Sequence, residues 1–309
     1  MTGNTHNKIV AITGATGFIG HVLVQKLIQS GWIVRALTRV NRSSNSKYLQ
    51  WIQGDLNNLT ALHHLIDDAA FVVHGAATVR GSSFQEFADT NIEGTKNLLC
   101  AITQKKQSPR FLLISSLAAR QPELSWYAQS KYLSERMLTE NSESLQWTIF
   151  RPTAVYGPGD KEIKPLFQAM RRGLFPVVGK MSNRFGLIHV YDLVTAIEAW
   201  LTAEQNIQGV FELDDGTPGG YSYQGLTELA QQVWKRPVHC ITIPDPLIRS
   251  IASANLWFAR LFHYSPMLTP GKVNELQHPD WVCDNASLIH QLPGWHPSIR
   301  LQDVLSEVI

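Results

Sequence analysis

Residues 8–20, KIVAITGATGFIG, constrain this chain more than any other stretch. Ile9, Val10, Ala11 and Ile12 make a short apolar run with β-branched members, as expected of a strand buried on both faces of a parallel sheet. Gly14, Gly17 and Gly20 follow at intervals of three, with Thr16 in the loop between strand and helix. From Phe18 onward the apolar spacing becomes helical: Phe18, Ile19, Val22, Leu23, Leu27 and Ile28 cluster on one side. Strand, glycine turn and helix, in that order, form the setting in which three glycines bind a dinucleotide. One glycine permits the tight turn, one lets backbone approach the pyrophosphate, and one lets the helix pack close to the sheet. The helix start offers unpaired N–H groups and partial positive charge to the phosphates. The plainer alternative is a tight turn with no ligand; the flanking strand and helix weigh against it.

The chain has 309 residues, enough to bury about three-quarters of its unfolded surface without staples. A net charge of +2 gives no electrostatic case for nucleic acid or an anionic membrane as partner. Cys100, Cys240 and Cys283 are scattered and odd in number, which fits a reducing compartment and argues against a disulfide frame or a zinc site. The first eight residues, MTGNTHNK, are polar and lack the apolar core of a signal peptide. No run of 18 apolar residues is present to span a bilayer, so the expected location is the cytoplasm.

Further strands are expected over 33–37, 48–53, 71–74, 111–114 and 147–150. Helices alternate with them over 61–66, 84–103 and 125–140. That alternation predicts an α/β fold with a doubly wound parallel sheet of the Rossmann kind over residues 1–155. Residues 151–160, RPTAVYGPGD, are rich in Pro and Gly and read as loop. Residues 156–309 read as a smaller substrate lobe, with some segments returning to the sheet. Helices are expected there over 163–172, 191–202, 223–234 and 246–262, strands over 186–189 and 210–213, and a loop over 173–179. At the tip of the second strand, where an acid would favour NAD, the chain carries Arg39, with Arg42 beyond it. A guanidinium suits a 2′-phosphate by charge and by its fork of donors, so NADP is expected over NAD. A solvated loop arginine is the plainer account.

Tyr127 and Lys131 stand four apart on a helix, one turn apart on one face, and Ser116 ends the preceding strand. A phenol with its ordinary pKa of about 10 is a poor base. A nearby ammonium would lower that value and let Tyr127 exchange a proton with a hydroxyl or carbonyl oxygen. Ser116 would hold the same oxygen while the coenzyme carries hydride. No metal-ligand spacing and no G-x-S-x-G nucleophile motif is present.

These motifs together resemble the extended short-chain dehydrogenase/reductase superfamily, of the NAD(P)-dependent epimerase/dehydratase-like type. The matching pieces are TGATGFIG at 13–20, GDL at 54–56, HGAA at 74–77, NxxGTxN at 91–97 and SSLAAR at 115–120. YAQSK at 127–131, RPTAVYGPGD at 151–160 and HVYDL at 189–193 follow in the family's order. The resemblance implies Ser116, Tyr127 and Lys131 as the catalytic set, with Asn91 as a relay or structural residue. It implies cofactor contacts along Gly14, Thr16, Gly17, Phe18, Ile19 and Gly20. Asp55 with Leu56 would meet the adenine side, Ala76 and Ala77 the nicotinamide side, and Pro152 and Val155 the loop beside that ring. A homodimer through the helices bearing Asn91 and Tyr127 is implied as well.

The chain departs from the family pattern in three places. Ten residues separate Ser116 from Tyr127, fewer than in most sugar-nucleotide epimerases of the family. The Thr-Asp-Glu set of the dehydratases is not recognisable, so dehydration is not expected. Arg184 stands one place before the position of the arginine that grips a nucleotide-sugar diphosphate, and Phe185 fills that position.

Ile248, Ile251, Leu256, Trp257, Phe258, Leu261 and Phe262 form a long apolar set on one helix. It would suit an apolar or aromatic carbonyl substrate. Ordinary core or a dimer contact is the plainer account; peripheral membrane contact is a further alternative, although the polar face is not notably basic. The leading expectation is an NADP(H)-dependent oxidoreductase interconverting an alcohol and a carbonyl on a small, apolar substrate. The alternatives are an NAD(P)-dependent sugar epimerase with transient oxidation, and a non-catalytic NADP(H)-binding sensor or subunit.

Overall fold

The computed structural model describes residues 9–140 and 145–307; the polar stretch at 1–8 lies outside them. The first half runs β1 (Ile9–Thr13), α1 (Phe18–Gln29), β2 (Ile33–Thr38), β3 (Leu49–Gln53), α2 (Leu59–Ile66), β4 (Ala69–His74), α3 (Phe84–Ala88), α4 (Gly94–Thr103), β5 (Arg110–Ile114), α5 (Trp126–Glu140) and β6 (Trp147–Pro152). The second half runs β7 (Ala154–Tyr156), α6 (Lys164–Arg171), β8 (Leu174–Val177), β9 (Arg184–Phe185), β10 (Leu187–His189), α7 (Val190–Thr202), β11 (Gly209–Leu213), β12 (Tyr221–Ser222), α8 (Tyr223–Trp234), β13 (His239–Thr242), α9 (Asp245–Phe262), α10 (Pro270–Gln277) and β14 (Asp280–Trp281).

Seven strands form one sheet in the order β11-β6-β5-β4-β1-β2-β3, every pair parallel. This is the expected doubly wound Rossmann arrangement. Successive strands are added in one direction from β1 through β3 and in the other from β4 onward, so a ligand crevice opens at the carboxyl ends of β1 and β4. Alternate residues of each strand feed opposite cores. Val10, Ile12, Leu112 and Ile114 pack on one face with α1 and α7. Ala11, Val72, Phe111 and Leu113 pack on the other with α2, α4 and α5.

Three expectations fail for identifiable reasons. The helix over 84–103 is interrupted by a π-helical turn, Asp89–Glu93, which carries the buried Asn91. The run at 151–160 is not all loop: β6 continues through Pro152, and β7 follows. Past Phe150, β6 is paired only to β11, so a proline there takes no ladder bond from β5. The segment 173–179 holds β8, whose residues alternate exposed and buried, a period that Pro176 and the flanking glycines obscure.

The second half has a core of its own around Tyr156, Phe167, Phe175 and Tyr223. It also returns α7 and β11 to the sheet, as expected. Among the described residues no helix is long and apolar enough to cross a membrane.

Candidate active site

The three glycines of the first loop meet different constraints. Gly14 has φ +76°, and a Cβ there would lie 2.5 Å from the Gly75 carbonyl carbon, so the loop presses against the end of β4. A Cβ on Gly20 would lie 2.1 Å from the Gly14 oxygen, so α1 packs directly on the turn. Gly17 is different: it caps α1 without any side-chain cap and is exposed together with Thr16. Bare backbone at a helix start is what a pyrophosphate requires, and these residues fit a dinucleotide on that ground.

Beyond β2, Arg39 is exposed, while Arg42 lies over the Trp51 ring at 5.4 Å. Asp55 is exposed and accepts the Asn57 N–H at 2.9 Å. Leu56 is buried, and a Cβ on Gly94 would stand 2.5 Å from its Cδ1, so it supports the loop from beneath.

At the end of β4, the Ala76 N–H donates to Thr13 Oγ1 at 3.2 Å, and Ala77 follows, partly buried. Thr13 Oγ1 pairs with His74 Nδ1 at 2.6 Å. Burial holds His74 neutral, its pKa pushed down to about 3. Asn91 accepts the Thr78 N–H at 2.7 Å and donates to the Thr78 carbonyl at 3.0 Å and to Ser130 Oγ at 2.8 Å. Ser130 in turn donates to the Tyr127 carbonyl at 2.8 Å. Asn91 therefore ties the segment after β4 to the helix bearing Tyr127.

Ser116 follows β5 and caps a short turn, accepting the Ala118 N–H at 3.2 Å. Ser125 caps α5, as its sequence position suggests, accepting the Ala128 N–H at 3.0 Å. Tyr127 is partly buried, its ring 6.4 Å from that of Phe87, and its phenol lies beside Ser116 on the same cavity wall. Lys131 is buried one turn later, where Nζ donates to the Ile114 carbonyl at 2.8 Å. Burial pushes its pKa down to about 8, against the pull of Glu135.

The electrostatics correct one expectation. Burial holds the Tyr127 phenol above its ordinary range. Ser116 opposes this, and the charges acting most on the phenol are Glu275, Lys272 and Glu162 rather than Lys131. Lys272 and Glu275 were not singled out by the sequence. They belong to α10, pair at 2.8 Å, and reach the site because Gly271 lets α10 approach Ser125, where a Cβ would come within 2.9 Å. Their sole signal is the Pro-Gly pair that starts the helix.

Ser116 and Tyr127 open into a cavity of about 980 Å³, shared with Phe18, Ile19, Pro152 and Val155. The other expected cofactor residues, and Lys131 and Asn91, do not line it; they occupy the loops and strand ends described above. The cavity wall is largely apolar, with Leu256, Met267, Leu276 and Trp281 supplied by the second half. Several of its charges are paired: Arg80 with Glu162 at 2.7 Å, Lys272 with Glu275 at 2.8 Å, and Arg184 with Asp280; Asp160 instead accepts backbone N–H groups of 162–164, and Arg260 donates to the Ser82 carbonyl at 3.1 Å. Phe185 stacks edge-on against Tyr223, 5.4 Å between centroids.

A model of the NAD dependent epimerase/dehydratase family matches residues 10–213. A ceramide reductase of Caulobacter vibrioides is 34% identical over 291 residues, covering 93% of this chain and 89% of that protein. A 2-alkyl-3-oxoalkanoate reductase of Stenotrophomonas maltophilia is 27% identical over 210 residues, covering 59% and 61%. Among solved structures, a UDP-glucuronic acid 4-epimerase from Bacillus cereus, in complex with UDP-glucuronic acid and NAD, superposes with a TM-score of 0.75 at 21% identity, covering 97% of each chain.

Proposed function

This chain belongs to the NAD dependent epimerase/dehydratase family, and on that premise we propose that it is an NADP(H)-dependent reductase of a long, apolar carbonyl compound. The observation that carries the reading is the placement of Ser116 and Tyr127 on the wall of a large, mostly apolar cavity, where Arg80, Arg184 and Lys272 are each paired with a carboxylate. Two relatives support it by name, one for reduction of ceramide and one for a 3-oxo acid bearing an alkyl branch.

The nicotinamide coenzyme supplies the hydride when bound, delivered to the carbonyl carbon. The chain does the rest. Ser116 and Tyr127 hydrogen-bond the carbonyl oxygen and orient it. As the carbon–oxygen π bond is broken, Tyr127 Oη transfers its proton to that oxygen, leaving an alcohol and a phenolate that water reprotonates. A phenol held protonated by its surroundings suits this direction, since the first demand on it is to give up a proton. Lys131, held by the Ile114 carbonyl, places a cation one turn behind the phenolate. Exposed Arg39 at the tip of β2 takes the 2′-phosphate and sets the preference for NADP.

Epimerisation of a nucleotide sugar is the competing reading, drawn from the UDP-sugar enzyme that shares the fold. Here Arg184 is engaged with Asp280 and Phe185 is packed into the lobe, which leaves a diphosphate without its expected guanidinium. The test is NADPH oxidation with a long-chain ketone, run beside UDP-glucose. The ketone is expected to be reduced, and Tyr127→Phe is expected to lower kcat about 10²- to 10⁴-fold. Interconversion of the sugar without net NADPH consumption, and an inert ketone, would overturn the reading.

A further inference from the structure

Lys272 and Glu275 take no part in delivering hydride or proton, yet both stand on the cavity wall with Ser116 and Tyr127. Helix α10, which carries them, is clipped to the start of α5. Asn274 Nδ2 donates to the Leu124 carbonyl at 3.1 Å, and Ser125 Oγ donates to Glu275 Oε1. The Trp281 indole N–H donates to the Glu275 carbonyl at 2.8 Å. Glu275 is buried, and both its carboxylate oxygens are engaged, Oε1 by Ser125 and Oε2 by Lys272 at 2.8 Å. The carboxylate is thus a holder, and the ammonium is what it holds. Glu275 takes one of the three Lys272 N–H donors; among the described residues no other group accepts from that ammonium. The Lys272 side chain keeps 36% of its surface exposed, so water can serve the remaining donors in the empty cavity. When an apolar substrate displaces that water, those donors lose their acceptors, a cost that an oxygen on the substrate would remove.

We propose that Lys272 selects the substrate by donating a hydrogen bond to a second, uncharged oxygen close to the reacting carbonyl, such as that of an amide or an alcohol. Its position follows from the packing of α10. Ser125, which holds Glu275, stands two residues before Tyr127, so the ion pair is fixed to the same turn of helix as the phenol. Of the cations in the chain, Lys272 acts most on that phenol. The lack of charge on the partner follows from the neighbours. Two carboxylates, Glu275 and Glu162, act on the phenol beside the one ammonium. A substrate carboxylate placed there would give up its hydration and meet more negative charge than positive. A neutral oxygen accepts from Lys272 without that penalty. The closeness of this oxygen to a reacting carbonyl rests on the reductase reading, whereas recognition of a neutral oxygen by Lys272 does not.

The test compares a plain long-chain ketone with a 3-oxo amide and a 3-oxo acid of equal length, each with NADPH, and adds the binding of a long-chain amide that has no ketone. The 3-oxo amide is expected to exceed the plain ketone by at least about tenfold in kcat/KM, and to exceed the acid as well. Lys272→Met is expected to lower the amide-to-ketone ratio about tenfold or more, a comparison in which the intrinsic reactivities of the two ketones cancel. The ketone-free amide, followed through the fluorescence of Trp126 and Trp281 on the cavity wall, is expected to bind the variant about tenfold more weakly. Lys272→Met strands the Glu275 carboxylate; should it fail to fold, Lys272→Met combined with Glu275→Gln removes both charges and is expected to show the same losses. An unchanged ratio with unchanged amide binding in the folded variant, or a wild-type preference for the acid, would overturn the proposal and leave the reductase reading standing. Three inert ketones would defeat the reductase reading, while weaker binding of the ketone-free amide by the variant would still uphold recognition by Lys272.

Discussion

Helices α1 and α9 both read as amphipathic, yet they are used in opposite ways. Helix α1 has 12 residues and buries Val22, Leu23, Val24 and Leu27 against the sheet. Helix α9 has 18 residues and buries only three, leaving six large apolar side chains in solvent. Their sequence patterns differ less than their surroundings. Helix α1 faces a broad sheet whose strands present a row of apolar residues every second position. Helix α9 faces a small cluster of Val178 and Val273 with Ile243 and Leu268 beside them, so among the described residues most of its apolar arc is left uncovered. Apolar spacing identifies the helix; what lies opposite decides what the apolar face is for.

The contrast can be broken or sharpened by substitution, beginning where the largest effect is expected. Gly20→Ala places a methyl group against the Gly14 carbonyl, where neither backbone can yield easily. It is expected to cost about 3 kcal/mol or more in urea denaturation. Unchanged stability would mean that the loop and α1 are looser than described. Next, Arg39→Ala is expected to weaken NADPH binding by about 10- to 100-fold in titration calorimetry, leaving NADH unchanged. Tighter NADH than NADPH in the parent protein would remove the assignment of NADP. Last, Phe262→Ser on α9 is expected to alter stability by no more than about 0.5 kcal/mol, because the ring is already in solvent. A loss like that of a core phenylalanine would show that another part of the protein covers α9.

The first half of the chain was the more legible half. Gly14 and Gly20 are dictated by backbone geometry, with exposed Gly17 between them, which leaves a fixed spacing in the sequence. The alternating strands and helices then leave one sheet order to a doubly wound fold. Ser116 and Tyr127 were legible because each follows a strand or helix boundary that the sequence marks. The setting of Lys131 was legible only in part: the spacing puts it one turn after Tyr127, but the Ile114 carbonyl holds its ammonium, a backbone contact that spacing does not reveal. Lys272 and Glu275 were not legible, since only tertiary packing of α10 on the start of α5 brings them near the phenol. The core-or-dimer reading of the α9 set failed for its core part, because sequence alone does not say what faces a helix.

The central claim joins a proton-donating phenol to an apolar cavity, and a homologous series of straight-chain ketones tests that junction most directly. With NADPH at saturation, kcat/KM is predicted to rise about threefold to fourfold for each added methylene until the chain fills the cavity, as burial of about 0.8 kcal/mol per methylene requires. A flat series with wild-type turnover of the shortest member, or no turnover along the whole series, would contradict it.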